Sequence, residues 1–279
     1  MEKCACYCNE FFEERICVLE KIISVQNPKI KNFAKLVSSS KERKKTGEFV
    51  IEGARLCRDA ALSGVEIKEL YFTDTAYTKY REDIEKILSV TETSFEISDD
   101  VAKKIQDTES SQGVFAKCKN TDNETDINSL KPQGKYVVLE NVQDPSNLGA
   151  IARTAEALGI DGAVLVSCCD VFNPKAQRSA MGSLFRLPFV RITDIDEMFD
   201  FAEENNMKTV STVVDENADK INEVSLDGGI FLIIGNEGNG IQDTTAEKST
   251  LRVTIPMKGR AESLNASMAA CISMWEVLR

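Results

Sequence analysis

The clearest hydrophobic signal lies in the second half of the chain. Continuous apolar runs fall at residues 136–139, 163–166, 209–214, 230–234 and 251–255, with longer amphipathic stretches between them. Runs that lack a polar face suit parallel strands covered by helices on both sides. One intervening stretch opens at Asn147, a residue type that caps helices. It carries Leu148, Ile151, Ala152, Ala155 and Leu158 on one face, and Gly159 stands where a left-handed C-cap is favoured. A last helix from about Leu264 places Met268, Ile272 and Trp275 on one stripe, which suits either a core or a partner.

The first half alternates less sharply. Residues 48–52 (EFVIE) predict a short strand, and 53–62 a helix with Ala54, Cys57, Ala61 and Leu62 on its apolar face. Residues 70–72 and 114–116 predict further strands, with a helix around 77–88. Strands alternating with helices indicate a small α/β domain. Residues 119–133 (KNTDNETDINSLKPQ) are polar and acidic, as a linker would be. The expected division is an N-terminal extension over 1–20, a smaller α/β domain over 21–118, the linker over 119–133, and a parallel-sheet α/β domain over 134–279.

Composition narrows the chemistry. The 279 residues hold 42% hydrophobic and 28% charged residues, ordinary for a globular protein with a real core. No apolar run approaches the roughly 20 residues of a membrane span, and the first ten residues do not form a secretory signal. Nine cysteines, an odd number at irregular spacing, argue against a disulfide framework and for a reducing cytoplasm. Cys4, Cys6 and Cys8 lack C-x-x-C spacing, so no metal is expected. There is no histidine, which removes Ser–His and Cys–His nucleophilic machinery. The net charge of −11 argues against a nucleic-acid partner if taken alone. Yet Lys29, Lys31, Lys35, Lys41, Arg43, Lys44 and Lys45 form a local basic strip with one acid, Glu42, among them.

Three segments carry candidate chemistry, each following a predicted strand, where open α/β sheets bind ligands. Residues 141–149 (NVQDPSNLG) make a tight turn into a helix start that could hold an anion. Residues 235–240 (GNEGNG) let a ligand approach the backbone, but the spacing is neither a dinucleotide fingerprint nor a P-loop. Residues 255–267 (IPMKGRAESLNAS) leave a strand at Pro256 and offer Ser263 or Asn265 as the cap of the last helix. Each segment alone fits an ordinary turn, cap or surface arginine as well as a site.

In this order, the three segments resemble the SpoU (TrmH-like) family of RNA 2′-O-ribose methyltransferases in the SPOUT superfamily. The matching patterns are N-x-x-D-P-x-N-x-G-A-I-x-R-T-A over 141–155, I-G-x-E-x-x-G-I over 234–241, and I-P-M-x-G-x-x-x-S-L-N-x-S over 255–267. Upstream, Asn27-Pro28, the segment 47–53 and Gln112-Gly113-Val114 resemble the family's N-terminal substrate-binding domain.

The resemblance implies a parallel α/β sheet with a trefoil knot, a homodimer, and S-adenosyl-L-methionine bound among the knot loops. It implies cofactor contacts at Gly235, Asn236, Gly238, Ile255, Met257 and Leu264. It assigns Arg153 to the 2′-hydroxyl, with Asn147, Glu237, Ser263 and Asn265 shaping the pocket around ribose and cofactor. The implied partner is RNA, preferably large-subunit ribosomal RNA. A transfer RNA substrate, base methylation, and a non-catalytic RNA-binding protein on the same fold remain alternatives.

Overall fold

The structure is a computed structural model that describes residues 20–121 and 123–279. The expected extension, apart from Glu20, lies outside the described residues, as do Cys4, Cys6, Cys8 and Cys17.

The larger sheet contains β6 (Lys135–Glu140), β7 (Gly162–Val166), β8 (Phe189–Ile192), β9 (Lys208–Thr212), β10 (Asp219–Lys220), β11 (Ile230–Ile234) and β12 (Leu251–Thr254). Its order is β10-β12-β9-β11-β6-β7-β8, and every pairing is parallel. Alternate residues serve opposite faces, as strand geometry requires. Val137, Leu139, Ala163, Leu165, Leu232 and Ile234 meet helices α7 (Pro145–Leu158), α8 (Pro174–Ala180) and α11 (Ala266–Leu278). Tyr136, Val138, Val164, Val166, Phe231 and Ile233 meet α9 (Asp196–Glu204). The short α10 (Asp243–Lys248) joins that side through an ion pair from Lys248 to Asp196. The chain leaves β12 near the sheet's edge and returns past the carboxyl ends to place α11 against α7 and β11.

Gly149 sets the spacing of α7 and α8, since a Cβ there would collide with the Ala176 carbonyl and the Ser179 side chain. The helix at 147–158 starts earlier than its sequence suggests. Asp144 is the N-cap, accepting from the Ser146 amide, and Pro145 occupies the first turn. Asn147 is thereby released from capping and is buried.

The smaller sheet, ordered β1-β4-β3-β5-β2, is built from β1 (Glu20–Ile22), β2 (Glu48–Glu52), β3 (Ile67–Phe72), β4 (Thr91–Ile97) and β5 (Val114–Lys119). Strand β5 runs antiparallel to both β2 and β3. One face packs on α1 (Pro28–Ser38) and α6 (Asp99–Ile105) through Ile30, Phe33, Tyr71, Phe95, Val101 and Phe115. The other meets α3 (Ala54–Leu62) and α5 (Arg81–Leu88), and α4 (Asp74–Lys79) precedes α5. The single helix expected over 77–88 is thus two, broken at Tyr80. Strand β4 and helix α6 escape the sequence pattern because their apolar positions are few and interrupted by polar and charged residues.

The two sheets share one continuous core. Phe49 of β2 lies 4.9 Å from Phe172 and 6.2 Å from Phe185, ring centroid to ring centroid. The joint is also polar. Arg43, on α2 (Ser40–Thr46), is 3% exposed and belongs to no surface strip. Its Nε donates to Asp170 Oδ2 at 2.8 Å, and its Nη1 donates to the carbonyls of Leu36 and Val37. The intervening 119–133 segment is held too: Asn123 Nδ2 donates to the carbonyls of Leu184 and Leu187, and Glu124 pairs with Arg191.

Removing one partner of a buried ion pair strands the other charge. Arg43→Met is therefore expected to cost about 3–5 kcal/mol, read as a lower urea midpoint. The double variant Arg43→Met/Asp170→Asn is expected to recover most of that loss, because no uncompensated charge remains.

Candidate active site

The carboxyl ends of β6, β11 and β12 deliver the three predicted segments to one place. The first of them begins with backbone in the left-handed region, Asn141 after β6 at φ 58°, as does the neighbouring turn after β7, where Ser167 has φ 52°. Neither is glycine, so both are held there by their surroundings. The Asn141 amide donates to Val166, and its carbonyl accepts from Asn236 Nδ2 at 2.8 Å. Asn236 folds its own turn as well, its Oδ1 accepting from the amides of Gly238 and Asn239. Gly235 makes the turn possible for a reason other than ligand approach. A Cβ there would run into the backbone of Gly240 and Ile241, so the loop could not close.

Glu237 and Asn147 form the centre. Glu237 Oε1 accepts from Asn147 Nδ2 at 3.0 Å and from the Asp144 amide at 3.1 Å, and Oε2 accepts from the Gln143 amide at 3.3 Å. The Asn147 Oδ1 in turn accepts from Asn265 Nδ2 at 3.1 Å. Asn265 also caps α11, accepting from the Ser267 amide and hydroxyl, so capping falls to Asn265 and not to Ser263. One side-chain amide thus joins all three loops. Burial raises the Glu237 pKa, but the donors from Asn147, its own backbone, Asp144 and Gln143 outweigh it and hold it below the ordinary carboxylate value. Glu237 is an anion at neutral pH and an organiser of the loops.

The remaining expected residues divide into two groups. Ser263, Leu264 and Met257 are exposed in the segment joining β12 to α11, Ile255 is half-buried against the core, and Gly238 is exposed at the tip of its turn. Residues 255–264 make no hydrogen bond with any other described residue, leaving their amides and carbonyls free beside apolar Ile255, Met257 and Leu264. That mixture of backbone donors, acceptors and apolar side chains fits a nucleoside-sized ligand. Arg153 stands apart. It is exposed on α7 and has no partner among the described residues. It lies six residues beyond Asn147, roughly 9 Å along the helix and about 120° around it.

Sequence reasoning missed several members. Asp144 caps α7 and pairs with Lys175 at 2.9 Å. Gln143 ties the loop to β7, its Nε2 donating to the Ser167 carbonyl at 2.9 Å. Cys169 sits close enough to Glu237, Asp170 and Asp144 to feel their charge. Burial first, then those anions, push its thiol up to about 12, and Cys168 is pushed up to about 12 chiefly by burial. Both thiols stay protonated at neutral pH, so neither serves as a nucleophile. The Asp-Pro pair could have disclosed the cap; nothing local discloses the Cys169 environment.

Asn147→Asp is nearly isosteric and tests the centre. It sets a second carboxylate against Glu237 and removes a donor, a loss of about 1–3 kcal/mol. Calorimetric titration with S-adenosylmethionine is expected to show affinity reduced about tenfold or more, with the thermal transition lowered by roughly 2–4 °C for each kcal/mol lost.

Comparison with known proteins gives the family. The SpoU rRNA Methylase family model matches residues 134–275, and the MRM3-like substrate binding domain matches 27–116. The 23S rRNA (guanosine(2553)-2′-O)-methyltransferase RlmP of Bacillus subtilis is 34% identical over 93% of this chain and 99% of its own. The 23S rRNA (uridine(2479)-2′-O)-methyltransferase of Streptomyces viridochromogenes is 27% identical over 92% of this chain and 91% of its own. Among solved structures, the AdoMet-bound rRNA methyltransferase of Sinorhizobium meliloti superposes with a TM-score of 0.82 at 27% identity, covering 93% of this chain and 97% of that one. With the three motif loops joined at one buried amide and the family model covering the entire larger sheet, this chain belongs to the SpoU rRNA methylase family.

Proposed function

We infer that the protein transfers a methyl group from S-adenosylmethionine to a ribose 2′-hydroxyl of large-subunit ribosomal RNA. The observation that carries this reading is the Asn147 bridge, which holds Glu237 and Asn265 in one cluster at the carboxyl ends of the sheet. The free backbone of residues 255–264, with Ile255, Met257 and Leu264, would hold the cofactor beside the turn of Gly235, Asn236 and Gly238. Bound there, the cofactor supplies an already activated methyl group on a sulfonium. The chain's own residues are left with positioning, which can contribute about 7–11 kcal/mol. The 23S rRNA activities of the relatives favour ribosomal over transfer RNA.

Arg153 is the residue we assign to the acceptor. An arginine stays protonated, so it acts as a cation. It would grip a phosphate beside the target and stabilise charge growing on the 2′-oxygen as its proton departs. Ser263 would frame the target from the free loop.

The position of Arg153 favours a homodimer. Helix α11 lies along α7, with Cys271 Sγ 3.0 Å from Thr154 Oγ1. The α11 face turned away from the core carries Met268 at 54% exposure, Ile272 at 41% and Trp275 at 61%. Such a stripe beside Arg153 suits a second copy of the chain, which would close the open side of the site. We place this work in the cytoplasm, in keeping with the free thiols of Cys57, Cys118, Cys168, Cys169 and Cys271.

Label transfer from methyl-labelled S-adenosylmethionine to unmodified ribosomal RNA is expected to give a nuclease-resistant 2′-O-methylated nucleotide in the large-subunit species. Absence of label with intact cofactor binding would overturn the reading. Arg153→Ala is expected to lower kcat about 100-fold or more while cofactor affinity holds. Independently, Trp275→Glu is expected to shift the protein to a monomer in sedimentation and to lose turnover with it.

A further inference from the structure

We propose that the RNA backbone runs along the outward face of α2, held by Lys41, Lys44 and Lys45, and that the Arg43–Asp170 pair fixes this row of cations to the catalytic rim. The proposal rests on the reading above that the substrate is RNA.

Acidic residues outnumber basic ones by 45 to 34 in this chain, and roughly half of the described cations find an acid. Lys29 pairs with Glu69, Lys175 with Asp144 and Arg178 with Asp107. Lys41, Lys44 and Lys45 do not, and they crowd one short helix. All three are exposed, and none makes an ion pair or hydrogen bond with a described residue. Three unpaired cations crowd seven residues of helix in a protein of net charge −11. Helical geometry puts Lys41 and Lys45 one turn apart on the face opposite Arg43, with Lys44 beside them. A row one turn long, about 6 Å, matches the spacing between neighbouring phosphates along a strand.

The same helix is tied to the site. Arg43 reaches Asp170, which follows directly on Cys169. The Cys169 amide donates to the Val142 carbonyl within the first motif loop, and its thiol senses Glu237 and Asp144. Helix α2 is therefore anchored to the loop that borders the Asn147–Glu237 cluster. Lys29 turns instead toward Glu69 and the Phe95 ring, away from this row. Of the basic strip visible in the sequence, α2 holds the part both unpaired and attached to the site.

The test compares the full-length triple variant K41Q/K44Q/K45Q with a control of equal charge change, K79Q/K86Q/K131Q, whose lysines lie on α4, α5 and the turn before β6. Fluorescence anisotropy with a labelled RNA hairpin of about 30 nucleotides is followed from about 50 to 200 mM salt. The α2 variant is expected to bind at least tenfold more weakly. Its slope of log affinity against log salt is expected to fall by about 2–3, the loss of three phosphate contacts. The KM for ribosomal RNA should rise while kcat and S-adenosylmethionine affinity stay unchanged. Equal weakening by the control would reduce the effect to net charge and overturn the proposal, as would an α2 variant indistinguishable from the unmodified protein. Failure of the unmodified protein to bind RNA at all would instead count against the functional reading.

Discussion

The site depends on one amide having both of its ends satisfied. Asn147 donates to a carboxylate on one side and accepts from Asn265 on the other. Only an amide does both in this geometry: a carboxylate would repel Glu237, and an apolar residue would leave Glu237 and Asn265 short of partners. Because the Asn147 side chain is buried, a bond left unmade at its own atoms would carry a desolvation cost. In sequence, Asn147 lies 90 residues before Glu237 and 118 before Asn265. Their agreement at one point is what makes a pocket of otherwise ordinary turns.

Everything beneath the amide serves to bring its partners within reach. Parallel strands put all carboxyl ends on one edge, and period-two burial gives each strand two apolar faces, so the sheet is clamped by helices on both sides. The missing side chain of Gly235 lets its turn fold back on Gly240, which presents Glu237 to Asn147. The short cap at Asp144 frees Asn147 for the bridge. The smaller sheet is joined through Phe49 and Arg43, so substrate handling and chemistry sit on one packed body and not on two domains swinging about a linker.

Much of this was legible in the chain and some was not. The strands at 136–139 and 230–234 read plainly, because full burial leaves no polar positions to blur the run. Three motifs in order named the loops that meet. What failed were inferences about what a residue touches. Asn147 looked like a cap because caps and bridges use the same side chain, and the true cap lay three residues earlier. Arg43 looked like one more surface cation, because nothing local marks Asp170, 127 residues away, as its partner. Met268, Ile272 and Trp275 read equally as core or interface until the opposite face of α11, with Ala270, Ser273, Met274 and Val277, proved to be the buried one.

The acidic net charge is compatible with an RNA substrate once the charges are placed. Attraction of a polyanion depends on the local field within a Debye length, about 8–10 Å, more than on the molecular sum. Near the Asn147–Glu237 cluster three acids have a dedicated neutraliser: Lys175 for Asp144, Arg43 for Asp170 and Arg178 for Asp107. Glu237 is the exception, held by amides, and its charge is spread over four donors. The rim is thus close to neutral where the acids are. The unpaired lysines of α2 and the free Arg153 then set the sign of the field that an approaching phosphate meets. An enzyme can carry its excess acids elsewhere, as on α9 with Asp196, Glu197, Asp200, Glu203 and Glu204, without repelling its substrate from the one face that matters.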